Sequence, residues 1–106
     1  MQQINLYAFA DEASPQIDGQ IAAMKRNCLS GLEIRNVDGE NVSAISAEKA
    51  REVRAKLSGA GLSVWSVGSP IGKIDIEKDD FEKHLDVLRR TAETAHVLGT
   101  DNIRMF

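Results

Sequence analysis

Gly31-Leu32-Glu33-Ile34-Arg35-Asn36-Val37 is the stretch on which the fold turns. It follows a helix-like segment, starts at a glycine and then alternates apolar with charged side chains. A period of two places Leu32 and Ile34 on one face of a strand and Glu33 and Arg35 on the other. The same punctuation returns at Gly61 ahead of Leu62 to Val67, and at Gly99 ahead of Ile103 to Phe106. With an opening strand from Ile4 to Phe9, the pattern predicts four strands alternating with three helices, an α/β chain in the order βαβαβαβ. Glycines spaced on the scale of a repeated βα unit predict parallel neighbours joined by right-handed crossovers. Parallel sheets need their faces covered by helices. A last strand at 103–106 therefore predicts that residues 1–106 are one part of a larger architecture.

The segments between the strands carry helical signals. Ser14-Pro15 predicts the start of the first helix, with serine as the cap and Ile17, Ile21, Met24 and Cys28 on its buried side. The second is predicted to begin at Ser46, with Ala50, Val53, Leu57 and Ala60 facing inward and a basic outer face. The third follows Asp79-Asp80, whose charge suits a helix N-terminus, and its predicted stripe is Phe81, Leu85, Leu88, Ala92, Ala95 and Leu98. Gly99 is predicted to end it in the left-handed conformation.

Composition excludes several classes of function. The chain has 106 residues, 42% hydrophobic and 27% charged, with a net charge of −3, the profile of an ordinary globular domain. No basic stripe suggests nucleic acid, and no stretch approaches the ~20 apolar residues of a membrane span. Without a recognisable leader the expected location is the cytosol. The single cysteine, Cys28, cannot form an internal disulfide and reads as a small buried or half-buried hydrophobe.

Charges within a buried parallel strand need a reason. If the aliphatic side chains face the helices, Glu33 and Arg35 point to the inside of the sheet. Arg104 does the same in the last strand, as do Asn5, Tyr7 and Phe9 in the first and Trp65, with Ser63, in the third. An acid, two arginines and two large aromatic rings on one face describe a polar pocket with aromatic walls, which suits sugars: hydroxyls pair with the charges, and C–H faces stack on the rings. Glu33 would equally serve as a structural partner of Arg35 or Arg104.

The turns after the strands are polar, and in α/β sheets and barrels ligands sit at those strand ends. Residues Gly68 to Lys73 are one residue short of a nucleotide phosphate loop, and Ile74 stands where serine or threonine belongs. No dinucleotide fingerprint is present. Lys73 reads as a surface lysine or as a point charge for a substrate phosphate or carboxylate. His84 and His96 lie on the third helix without a converging acid, so they are expected to be structural or superficial. Asp11 and Glu12 are adjacent and expected to point apart. No complete catalytic set is legible.

The segments FADEAS (9–14), GLEIRNVDGENV (31–42), SVGSPIGKIDI (66–76) and LGTDNIRMF (98–106) together resemble the amino-terminal half of the xylose-isomerase-like sugar phosphate isomerase/epimerase family. The resemblance covers essentially the whole chain. It implies a partial TIM barrel, with strands one to four and helices one to three of a (β/α)8 barrel. It also implies a sugar or sugar phosphate as the small-molecule partner, with Glu33 facing the pocket and Arg35, Ser69 and Lys73 at pocket-side or loop positions. The intact protein would then abstract a proton next to a carbonyl, with a divalent metal stabilising the enediolate. The family's metal-binding and proton-shuttling residues come from later strands, so residues 1–106 are expected to be inactive alone and to hold no metal. The alternatives are a non-enzymatic half-barrel, two copies of which pair through their exposed strand edges as a homodimer, and a small open α/β module that binds a small molecule.

Overall fold

Among the described residues two sheets form, one large and one very small. The strands are β1 (Tyr7–Phe9), β2 (Gly31–Ile34), β3 (Asn36–Val37), β4 (Glu40–Asn41), β5 (Ser63–Gly68) and β6 (Ile103–Arg104). β1, β2, β5 and β6 lie parallel in that order, while β3 and β4 make a separate antiparallel hairpin. The computed structural model describes residues 4–73 and 80–106. Asp79, expected at the start of the third helix, lies outside the described residues.

The helices are α1 (Ile17–Arg26), α2 (Ala47–Gly59) and α3 (Phe81–Leu98). Leu32 and Ile34 of β2 are buried among Ile17 and Met24 of α1 and Val53 and Leu57 of α2, as their alternation requires. Ser46 caps α2 by accepting from the Lys49 N–H at 3.0 Å, and Asp80 caps α3 by accepting from the N–H groups of Glu82 and Lys83. Gly99 ends α3 at φ 84°, the left-handed cap expected of it.

The second strand stops sooner than its composition suggests. Asp38 and Gly39 both take positive φ, 52° and 85°, the turn chemistry that folds a two-residue hairpin. Asn36 and Val37 are thereby drawn into β3. The hairpin tip also explains why Ser14 does not cap α1. Asp38 Oδ1 accepts from the Ile17 N–H at 2.8 Å, so the cap comes from across the fold and the helix begins at Ile17. Ser14 instead accepts from the Gln16 N–H at 3.1 Å.

Three further expectations are corrected. Cys28 is exposed, lies beyond the end of α1 and sits at φ 56°. There it takes the place usually given to glycine, with the Leu29 N–H reaching back to the Met24 carbonyl at 3.0 Å. Gly31 does not terminate a helix; it is inside β2, where a Cβ would lie 1.9 Å from the Ser63 carbonyl oxygen. The stripe of α3 omits Phe81 and Ala92, which are exposed, and runs through Thr91, Thr94, Ala95 and Leu98. Thr91 is satisfied by the Ser43 hydroxyl at 2.9 Å and by the Val87 carbonyl, which lets a threonine occupy a position that periodicity reserves for apolar residues.

Candidate functional site

The C-terminal ends of all four parallel strands converge on one cavity of about 540 Å³. Phe9 closes β1, Arg35 and Asn36 follow Ile34, Gly68 ends β5 and leads into Ser69, and Arg104 ends β6. Asp11, Asn41, Lys73 and Phe106 complete the walls.

Two ion pairs organise this face. Asp11 Oδ1 accepts from Arg35 Nε at 3.0 Å and Nη2 at 2.6 Å, and its Oδ2 accepts from Asn36 Nδ2 at 2.9 Å. The hydrogen bonds that Arg35 donates to Asp11 are the main reason that its guanidinium holds its proton even more firmly than usual. Glu33 Oε2 accepts from Arg104 Nε at 2.9 Å, while Oε1 accepts from the Ser66 hydroxyl at 2.6 Å. Of the two partners open to Glu33, Arg104 is the one it takes.

Aromatic rings set the heights of the cations. The Arg35 guanidinium lies 4.1 Å from the Phe9 ring centroid and that of Arg104 lies 5.5 Å from the same ring. Arg104 also stands 4.8 Å from the Phe106 ring, and Lys73 Nζ 4.2 Å from it. Such placements are attractive because the ring face is negative. Gly68 leaves room for this assembly: a Cβ there would lie 2.6 Å from Arg35 Cγ and 3.0 Å from Arg104 Nη2.

Of the sequence candidates, Arg35, Ser69, Lys73 and Arg104 line the main cavity. Ser69 has its hydroxyl committed, donating to the Arg104 carbonyl at 2.6 Å and accepting from the Ile71 N–H at 3.3 Å. Tyr7 and Trp65 stack with centroids 5.4 Å apart and share a second hollow of about 340 Å³ with Glu33. His84 Nε2 accepts from the Gly72 N–H at 2.7 Å and braces the loop after β5.

Asp11 and Ser66 were missed. Asp11 does not diverge from the site with an extended backbone, because Ala10–Glu12 form a 3-10 turn that aims it at Arg35. Ser66 reaches Glu33 because the β2–β5 register shifts between Leu32 and Glu33, pairing Leu32 with Val64 but Glu33 with Ser66. A strict period of two would send Ser66 to the opposite face from Trp65, and a bulge breaks that rule. Asn36 and Asn41 come to the cavity wall through the hairpin, whose Asp38-Gly39 turn was the available signal. Among the described residues no three His, Cys, Asp or Glu side chains converge as a metal site, and no helix is long and apolar enough to cross a membrane.

Neither a family model nor a curated protein matches the chain. Among solved structures, it superposes on the apo form of 3-keto-D-glucoside 4-epimerase, YcjR, from E. coli with a TM-score of 0.65. The two chains share a fold. Identity is 20%, and the match takes in 97% of this chain but 37% of the epimerase. The likeness is therefore one of fold: the parallel sheet and its helices correspond to part of a longer enzyme.

Proposed function

We propose that residues 1–106 form the first four strands and three helices of a (β/α)8 barrel and supply one wall of the sugar site of an isomerase or epimerase located in the cytosol. The observation that carries this reading is the cavity at the strand ends, where Asp11–Arg35 and Glu33–Arg104 pairs stand among aromatic rings. The fold shared with a sugar epimerase agrees with it. In this reading Arg35 and Arg104 offer donors to sugar oxygens, while Tyr7 and Trp65 offer faces to its C–H groups. Asp11 and Glu33 hold the arginines in place; with both carboxylate oxygens engaged, neither is arranged to move a proton.

The reaction itself would abstract a proton next to a carbonyl, using a base outside this segment, so the chain alone is inactive. The family resemblance also implies a divalent metal in the intact protein. Among the described residues no ligand set converges that would hold it.

Trp65 is the single tryptophan and lies on the inner face beside Tyr7, so it serves as a reporter. Addition of D-glucose to the chain should change its emission saturably in the millimolar range. An unchanged spectrum at ~0.1 M sugar, with the protein folded by circular dichroism, would refute the sugar site. A second reading, self-association through β1 and β6, is favoured by the exposure of Leu6, Met105 and Phe106 at the two sheet edges. Sedimentation equilibrium decides it: a monomer at 100 μM rules it out.

A further inference from the structure

The hydrogen bond between His84 and Gly72 depends on a protonation state. His84 Nε2 accepts from the Gly72 N–H at 2.7 Å. A ring nitrogen accepts only in the neutral imidazole, because in the imidazolium both nitrogens are donors. Protonated His84 would turn an N–H toward the Gly72 N–H. Charge on His84 and this position of the loop therefore exclude one another.

The earlier part of the loop is fastened in another way. The Ser69 hydroxyl donates to the Arg104 carbonyl at 2.6 Å, and the Phe106 N–H donates to the Ile71 carbonyl at 2.8 Å. Neither bond includes an imidazole, so residues 69–71 stay tied to β6 and the residues after it whatever the charge on His84. Gly72 and Lys73 are exposed, and the Lys73 N–H turns back to the Pro70 carbonyl within the loop at 3.0 Å. Gly72 sits at φ 97°, so close to Phe106 that a Cβ would lie 1.8 Å from its carbonyl oxygen. Glycine both reaches that conformation and leaves it at small steric cost. Lys73 follows directly, with Nζ 4.2 Å from the Phe106 ring centroid, and forms part of the cavity wall.

We infer that His84 is a proton-operated latch: when neutral it holds Gly72 and Lys73 against the cavity, and when protonated it releases them while residues 69–71 stay on β6. Histidine is the side chain whose charge ordinarily changes between about pH 5 and 8. The charged groups on the elements that meet at this ring are Asp80, Glu82 and Lys83 on α3, Lys73 on the loop and Arg104 on β6. Carboxylates, lysines and arginines ordinarily keep one charge state across that window, so the switching element is the imidazole. The proton binds the released loop in preference to the held one, and acid therefore shifts the population toward release. Release takes Lys73 away from the wall it forms with Phe106. The latch acts on the cavity wall and is independent of which ligand the cavity takes.

The test is a magnetic resonance titration of the chain from about pH 8 to 5, following the histidine rings and the backbone amides. His96, the other histidine, is exposed on the same helix and serves as the internal control. The expected result is that the Gly72 and Lys73 amides shift with the midpoint of the His84 ring, while those of Ser69 and Ile71 move little. His84→Gln supplies a side-chain carbonyl that accepts without titrating. It should hold the loop and abolish the pH dependence at Gly72, whereas His96→Gln should leave that dependence as it is in the wild type. Gly72 and Lys73 amides that stay fixed while the His84 ring titrates overturn the latch, as does a His84 ring that stays neutral throughout the window. A pH dependence at Gly72 that persists in His84→Gln, or disappears in His96→Gln, also overturns it. If His84→Gln does not fold, the wild-type midpoints decide: Gly72 following His84 supports the latch, and Gly72 following His96 or neither ring refutes it.

Discussion

Asp11→Asn keeps the shape of the side chain and removes its charge, which isolates what the Asp11–Arg35 pair contributes. The aspartate side chain is 9% exposed and that of Arg35 29%, so the pair stands between a surface ion pair and a buried one. Exposed pairs contribute ~0.2–1 kcal/mol, and hydrogen bonds to charged groups ~1.5–3 kcal/mol. Two N–H bonds from Arg35 at 3.0 and 2.6 Å, discounted for solvent at the guanidinium, place the loss at about 1–2 kcal/mol. Arg35→Met should cost that amount and a further ~0.5–1 kcal/mol for its lost stacking on Phe9. Urea unfolding of the wild type, both single variants and the double variant closes a cycle. The expected coupling energy is about 1 kcal/mol, and the double variant should be little worse than Arg35→Met alone. A coupling energy below ~0.3 kcal/mol, within the additivity of independent sites, would show that the pair is incidental and that Asp11 does not position Arg35.

Two other perturbations follow from the same structure. Cys28→Gly should stabilise the chain by about 0.5–1 kcal/mol, because Cys28 sits at φ 56° where a Cβ is penalised and glycine is not; a lower urea midpoint for this variant would contradict the cap assigned to it. The hydrogen bond from Lys49, followed by the N–H of Ile17, holds the Asp38 carboxyl below its ordinary value of 3.8. A depressed folded-state value means that this stabilisation is fully present above pH ~4 and is lost as pH falls through the folded-state value. Unfolding midpoints between pH 5 and 2 should therefore fall less steeply in Asp38→Asn than in the wild type; parallel curves would refute the assignment.

What was legible in the sequence was the part dictated by periodicity. Leu32 and Ile34 face the helices and Glu33 and Arg35 the opposite side, because nothing but a strand satisfies that alternation over a buried run. Ser46, Asp80 and Gly99 perform the end functions their chemistry suits. The illegible part came from non-local choices. Which acid Arg35 takes depends on a three-residue 3-10 turn, and whether Ser66 meets Glu33 depends on a register shift between strands whose paired residues are about thirty positions apart. Gly31 shows the same limit in another form. Its position before an apolar run suggested a helix terminator, but its reason is the Ser63 carbonyl on the neighbouring strand, which leaves no space for a side chain.

The same residues that order the sheet also shape the cavity, and this ties the local errors to function. The Asp38-Gly39 turn shortens β2, caps α1 through Ile17, pairs with Lys49 on α2, and brings Asn36 and Asn41 to the cavity wall. Gly68 ends β5 with no side chain, and the vacated volume is occupied by Arg35, Arg104 and Glu33. Ser69 then fastens the loop to the Arg104 carbonyl, so the guanidinium is fixed at its backbone end by β5 and at its charged end by Glu33. Every cation but Lys73 is thus positioned by contacts that also hold neighbouring strands together. Charge at this face is built into the sheet, and its adjustable member is the lysine on the loop.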